Sequence, residues 1–361
     1  MKFLKSNIFL VLASTFITLI ILELLLSFNY RKLNKTNNLS FSFERFMLFQ
    51  EGKVFKNVDR IFKFHPEKKI LSETFYYIDG YFKKEYSYYI KTNNFGLVQD
   101  NNIYKNKPSI LFLGDSHIEG QGAEAWINHF NGKFKGYQLI NGGIFSTGPQ
   151  QFELIENHIS ENFNVDKVIF FYIGDDFRRG VFNISNETLN CLKNNEKCIG
   201  NENYYGFNLS EKDPINFLTF LRNYRIEYIQ NIPKFKKYRR LIKKKISNLF
   251  IFKLPINFLK IKFYNSNNVK IKKNFQSVDN LNKKYKDNII YIQLFSKPEI
   301  IEGKSYETIY AEKFIKKISN NHFVCNFDKN LDNFHQIDSH PNAKGYKNLY
   351  ECVENIMKSN F

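Results

Sequence analysis

Hydrophobic and polar positions alternate in three different ways along this chain. From Ile8 to Phe28 apolar residues run almost unbroken (IFLVLASTFITLIILELLLSF), with Glu23 the only charge. As a helix rising about 1.5 Å per residue, a run of this length covers a hydrocarbon core of roughly 30 Å. No small-residue cleavage pattern follows it, so residues 1–30 read as an uncleaved membrane anchor rather than a removed signal peptide. Lys2 and Lys5 precede the run and Arg31, Lys32 and Lys35 follow it; the positive-inside rule therefore leaves the orientation open.

Beyond the anchor the pattern changes to alternation. Residues 31–107 read as a linker, extending from Arg31 to about Lys56, and then a small β-rich lead-in. From Arg60 to Leu97 aromatic and charged residues alternate, and Asp79-Gly80 supplies a hairpin turn signal.

From Pro108 onward the pattern changes again, to short apolar runs separated by helix-length segments. Ile110–Leu113, Gln138–Ile140, Val168–Ile173, Ile289–Leu294 and, more weakly, His322–Cys325 suit strands buried on both faces. Gln150–Asn162 and Glu307–Ser319 have the length and spacing of crossover helices. Residues 108–361 are thus predicted to form one α/β domain, a three-layer α/β/α doubly wound parallel sheet, with an insertion at about 178–287. In such a sheet ligands bind beyond the carboxyl ends of the strands.

Composition adds limits. The chain has 361 residues, 43% of them hydrophobic and 17% aromatic, which places it among globular proteins. Its net charge of +18 admits nucleic acid, an anionic membrane surface or an acidic polymer as partner. No zinc-finger spacing, helix-turn-helix or aromatic RNA-binding strand favours nucleic acid, so none is expected. The densest basic run, Lys234–Lys245 (KFKKYRRLIKKK), reads first as a solvated helix face and second as a contact for lipid headgroups or an acidic polysaccharide. Cys191 and Cys198 flank a polar loop that suits a local disulfide, and Cys325 with Cys352 forms the second candidate pair. Their spacing suits neither a redox CxxC nor zinc. Disulfides would put the domain that follows the anchor outside the cytoplasm, on the periplasmic side.

Two segments carry chemistry. In ILFLGDSHIEGQG (110–122) an apolar strand runs into Gly-Asp-Ser and then a helix start. A serine there, Ser116, is exposed beside converging backbone N–H groups, as a nucleophile with oxyanion donors requires. In IDSHPNAKGY (337–346), His340 precedes a proline at a helix start and follows Asp338 by two residues. An aspartate accepting from one imidazole nitrogen leaves the other free to take the serine proton.

With these blocks in order, the chain resembles the SGNH (GDSL-type) hydrolase family. NGGIFSTGP (141–149) resembles the block whose glycine donates its N–H to the oxyanion, which matches Gly143. YIGDDF (172–177) stands where the family has Gly-x-Asn-Asp or Gly-Asn-Asp. The resemblance spans roughly Pro108 to Met357, with the insertion unmatched. It implies a flavodoxin-like SGNH fold, catalysis by Ser116, His340 and Asp338, and an oxyanion hole of Ser116, Gly143 and the residue in the third block. That residue is Asp175, or Asp176 if the alignment shifts by one. An ionised carboxylate cannot donate to an oxyanion, so this aspartate must be protonated by a like-charged neighbour, or Asn141 or a backbone amide must substitute. The Asp-to-His spacing is two where three is commoner, which makes Asp332 the fallback orienting residue. His117 is expected to be structural or substrate-facing.

The expected function is a serine esterase acting on an O-acyl group of a carbohydrate or lipid, with no metal or organic cofactor. The alternatives are a membrane-tethered polysaccharide O-acetyltransferase and a catalytically silent carbohydrate- or lipid-binding protein of the same fold.

Overall fold

A computed structural model describes residues 14–15, 17–21, 23, 44–194, 204–209, 212–230, 269–326 and 330–360. The chain divides into two units, residues 1–42 with 227–267 and residues 43–226 with 268–361. In the first unit, residues 14–15, 17–21, 23 and 227–230 are described, and all are helical. Most of the expected anchor therefore lies outside the described residues, as do the basic run Lys234–Lys245 and Cys198. No helix among the described residues is long and apolar enough to cross a membrane.

The second unit holds the predicted α/β architecture. Five parallel strands, β6 (Ser109–Gly114), β7 (Gln138–Gly143), β8 (Val165–Tyr172), β10 (Ile289–Gln293) and β11 (His322–Val324), pair in the order β11-β10-β8-β6-β7. Every residue of β6 and β10 is buried, as their unbroken apolar sequences require. The short helix α1 (Ser116–Glu119) follows β6 directly, and α2 (Pro149–Ser160) connects β7 to β8. The later helices of this domain are α5 (Val269–Tyr285), α6 (Lys297–Glu302), α7 (Tyr306–Ile318) and α8 (Ala343–Asn360). Helix α2 packs on α5 and α5 on α7, whereas α8 packs against the 3-10 segment Trp126–Phe130. Strand β6 lies between β7 and β8, so the strand order reverses beside it. Its carboxyl end is the crevice where this fold binds ligands.

Cys325, just after β11, is bonded to Cys352 of α8, and Cys191 is also disulfide-bonded.

The lead-in starts earlier than the alternating pattern predicts. Strand β1 (Glu44–Phe49) falls inside the stretch expected to be linker, and β2 (Phe55–Val58) begins within it. β1 is a short apolar run, ERFMLF, too brief for periodicity to distinguish from a hydrophobic linker. It sits inside a second sheet, ordered β5 (Tyr81–Lys91), β4 (Lys69–Ile78), β1 and β9 (Tyr204–Gly206). Strands β4 (Lys69–Ile78) and β5 (Tyr81–Lys91) form the expected hairpin, and Asp79 and Gly80 both adopt positive φ (50° and 93°) at its turn. β2 and β3 (Ile61–Phe64) pair as a separate hairpin.

The expected insertion divides into two parts. Strand β9 (Tyr204–Gly206) adds to β1 in parallel. Helices α3 (Asn186–Lys193) and α4 (Pro214–Gln230) bring Cys191, Leu218 and Leu221 onto Phe46, Leu48 and Phe75 of the lead-in sheet. The stretch from Val269, in contrast, is the crossover helix α5 of the parallel sheet. Its low apolar content (VKIKKNFQSVDNLNKKY) conceals the buried stripe of Ile271, Phe275, Val278 and Leu281.

Candidate active site

Strand β6 delivers its chain end into a tight turn. Asp115 caps α1 by accepting the His117 N–H at 2.9 Å, and Ser116 follows, buried to 6% exposure. From α8, the Tyr346 hydroxyl donates to Gln121 O at 3.0 Å and steadies the far side of this turn. Gly143, at the end of β7, makes room for it: a Cβ there would stand 2.3 Å from the Glu119 nitrogen. No side chain fits that approach.

The second chemical segment folds back over the turn. Asn342 accepts the Gly345 N–H and so starts α8, while Asn342 N donates to Asn333 O. Held there, His340 has Nε2 at 2.8 Å from Ser116 Oγ and Nδ1 at 2.5 Å from Asp338 Oδ1. Burial lowers the imidazole pKa below its usual value, against the opposing pull of Asp338. Burial would raise the Asp338 carboxyl, but His340 and Arg45 outweigh it and hold it well below the usual carboxylate range. A neutral histidine therefore faces the serine with an ionised aspartate behind it, the charge states that proton removal requires. Asp332 is exposed in the 3-10 turn Leu331–Asn333, and His340 Nδ1 is already taken by Asp338.

The other oxygen of Asp338 belongs to the lead-in sheet. Tyr86 donates to Oδ2 at 2.8 Å, Tyr76 at 3.0 Å, and Arg45 Nη2 lies 3.3 Å away. These three come from β5, β4 and β1, none of which sequence reasoning connected with the site. In the structure Tyr86, Tyr88 and Ile90 share one buried face of β5. Nothing local identified what that face would meet.

On the oxyanion side the arrangement departs from expectation. The Gly143 N–H is not free: it donates to Asn141 Oδ1 at 3.0 Å. Asn141 is no substitute, because it is fully buried, does not line the cleft beside Ser116 and donates from Nδ2 to Val98 O at 2.7 Å. Asp175, the expected third-block residue, is a half-exposed carboxylate paired with Arg178 and Arg179. Burial would raise its pKa, but the two guanidinium groups outweigh this and keep it ionised, so it donates nothing. Asp176 is the buried member of the pair; it accepts the Ile173 N–H, and burial beside the charge of Asp115 pushes its pKa well up.

Arg179 was not singled out by sequence. Its guanidinium lies 2.9 Å from Asp115 Oδ2, 2.8 Å from Asp176 Oδ1 and 3.2 Å from Asp175 Oδ2, and it donates to Thr147 O at 3.0 Å. Its only advance signal was an arginine pair one residue after two aspartates at a strand end. His117 is buried, with Nδ1 3.1 Å from Asp115 Oδ1 and its ring 5.3 Å from that of His340. Ser116, His117, Asp175, Arg179 and His340 border a cleft of about 540 Å³ that also includes Arg45, Phe145, Arg178 and Glu299. Among the described residues, no group of three or more His, Cys, Asp or Glu side chains is placed to hold a metal ion.

No family model matches the chain, and no curated protein matches it. Solved structures do. A member of the lipolytic G-D-S-L family from Veillonella parvula is 10% identical, with 70% of this chain and 98% of that one covered and a TM-score of 0.33. A psychrotrophic esterase from Pseudoalteromonas sp., solved with monoethylphosphonate as inhibitor, is 11% identical over 70% and 97%, with a TM-score of 0.35. A GDSL-like lipase from Bacteroides thetaiotaomicron is 14% identical over 72% and 93%, with a TM-score of 0.32.

Proposed function

We propose that this chain is an SGNH-type serine esterase. The observation that carries the reading is the unbroken relay from Ser116 Oγ through His340 to Asp338, with contacts of 2.8 and 2.5 Å, at the carboxyl end of β6. Ser116 attacks the ester carbonyl as His340 Nε2 takes its proton. The imidazolium formed then gives that proton to the leaving alcohol. The Ser116 N–H donates to the oxyanion, and water repeats the cycle to release the acid. No step calls for a metal or organic cofactor.

A second reading, a catalytically silent binder of carbohydrate or lipid, draws on the occupied Gly143 N–H and the ionised Asp175. A fluorophosphonate probe separates the two. The esterase reading expects labelling of Ser116 and its loss in His340→Ala; an unlabelled wild-type protein that still binds glycans would support the silent binder instead.

The acyl acceptor, membrane tethering through Ile8–Phe28 and placement of the domain on the periplasmic side also belong to the proposal. The Cys325–Cys352 disulfide supports the last, because such bonds persist in oxidising compartments. Alkylation of these thiols in intact cells without prior reduction would overturn that placement.

A further inference from the structure

The third block lacks the expected amide donor, yet it is not without a donor of another kind. We propose that Arg179 is a catalytic residue that supplies the oxyanion contact in place of the asparagine, and that Asp115, Asp175 and Asp176 form the cage that holds its guanidinium there. This inference rests on the esterase reading.

Three observations support it. Arg179 Nη1 and Ser116 Oγ approach the same atom, Asp115 Oδ2, at 2.9 and 3.5 Å, so guanidinium and nucleophile share one oxygen as neighbour. Nη1 is occupied by Asp115 and Thr147, and one hydrogen of Nη2 is directed to Asp175. A guanidinium has five N–H donors, so the second Nη2 hydrogen and Nε–H have no partner among the described residues. The side chain is 23% exposed and borders the same cleft as Ser116 and His340. A cation held by Asp115 and Asp175 with N–H donors to spare at the edge of the cleft meets the requirement for stabilising charge that develops only in the transition state. It also accounts for the acidic third block: Asp175 stays ionised where an amide is expected because the donor is a guanidinium that it helps to anchor. Asp115 alone would leave a negative charge beside a developing oxyanion; Arg179 cancels it.

The test is steady-state hydrolysis of a short p-nitrophenyl ester by Arg179→Ala and Arg179→Lys, with thermal melting as the check on folding. For folded Arg179→Ala, kcat should fall on the order of 100-fold, with KM within about three-fold of wild type. Millimolar guanidinium chloride should restore part of the lost rate in that variant and not in Ser116→Ala. If Arg179→Ala does not fold, Arg179→Lys decides: it keeps the positive charge among the aspartates but not the planar fork, and its kcat should still fall by about ten-fold or more. A folded variant with wild-type kcat, or a loss confined to KM, overturns the assignment of Arg179 while leaving the esterase reading intact. A wild-type protein with neither turnover nor Ser116 labelling overturns the esterase reading and this inference with it.

Discussion

The two larger sheets of this molecule reach the same three side chains by opposite routes. The parallel sheet supplies Ser116 from contiguous sequence, with strand, turn and helix all within Ser109–Glu119. The lead-in sheet contributes no reacting atom, yet three of its strands send Arg45, Tyr76 and Tyr86 to one oxygen of Asp338. The first route is a motif, because the chemistry and the backbone that shapes it are neighbours in sequence. The second is a tertiary arrangement, separated from Asp338 by 262 residues for Tyr76 and 252 for Tyr86. A sheet that looks accessory by sequence can therefore be part of the proposed relay.

The largest effect should come from the parallel-sheet side. Ser116→Ala should lower kcat for a short ester by about 10⁴-fold or more without changing the melting temperature. A smaller loss would mean that water, not Ser116, is the attacking group.

The lead-in side should follow with smaller, pH-dependent losses. The Arg45 charge helps to keep the His340 pKa low. In Arg45→Met that pKa rises, so the base stays protonated to higher pH and the acid limb of kcat/KM moves upward. The accompanying loss should be roughly ten-fold near pH 6 and shrink as the pH rises. Tyr86→Phe removes one donor to a buried carboxylate and should cost about ten-fold or less in kcat, with KM unchanged. Wild-type rates and an unmoved pH profile in both variants would reduce the lead-in sheet to a packing element.

The smallest effect concerns stability. Burial, together with the charge of Asp115 and against the Phe145 N–H, pushes the Glu119 pKa up to about 8. A carboxyl with a raised folded-state pKa stabilises fully below its unfolded pKa and progressively less as the pH rises through 8. Glu119→Gln should therefore melt higher than wild type at pH 8 and no higher at pH 4, read by thermal unfolding. Equal melting curves at pH 8 would show that Glu119 is not protonated in the fold.

The parallel sheet and the relay were legible because each depends on a short-range signal: unbroken apolar runs, Gly-Asp-Ser at a strand end, and an aspartate two residues before a histidine. β1 was hidden because six residues are too few to show a period, and α5 because its polar face outnumbers its buried stripe. The oxyanion side failed for another reason. Sequence placed Gly143 and Asp175 at the right strand ends, but whether an N–H is free or a carboxylate ionised depends on neighbours such as Asn141 and Arg179, and no motif states their positions.

The long separation between Asp338 and its tyrosine partners also bears on the order of folding. Closing a loop of that size is entropically costly, and contacts so distant in sequence form slowly. During synthesis Ser116 emerges more than 200 residues before His340, so the proposed nucleophile exists for much of that time without its proposed base. Trp126, the single tryptophan, is buried beside Phe112 and Phe171 in the parallel-sheet core. In a refolding reaction its fluorescence should settle before ester turnover appears, the interval between the two being the time the amino-terminal sheet takes to find the carboxyl-terminal loop.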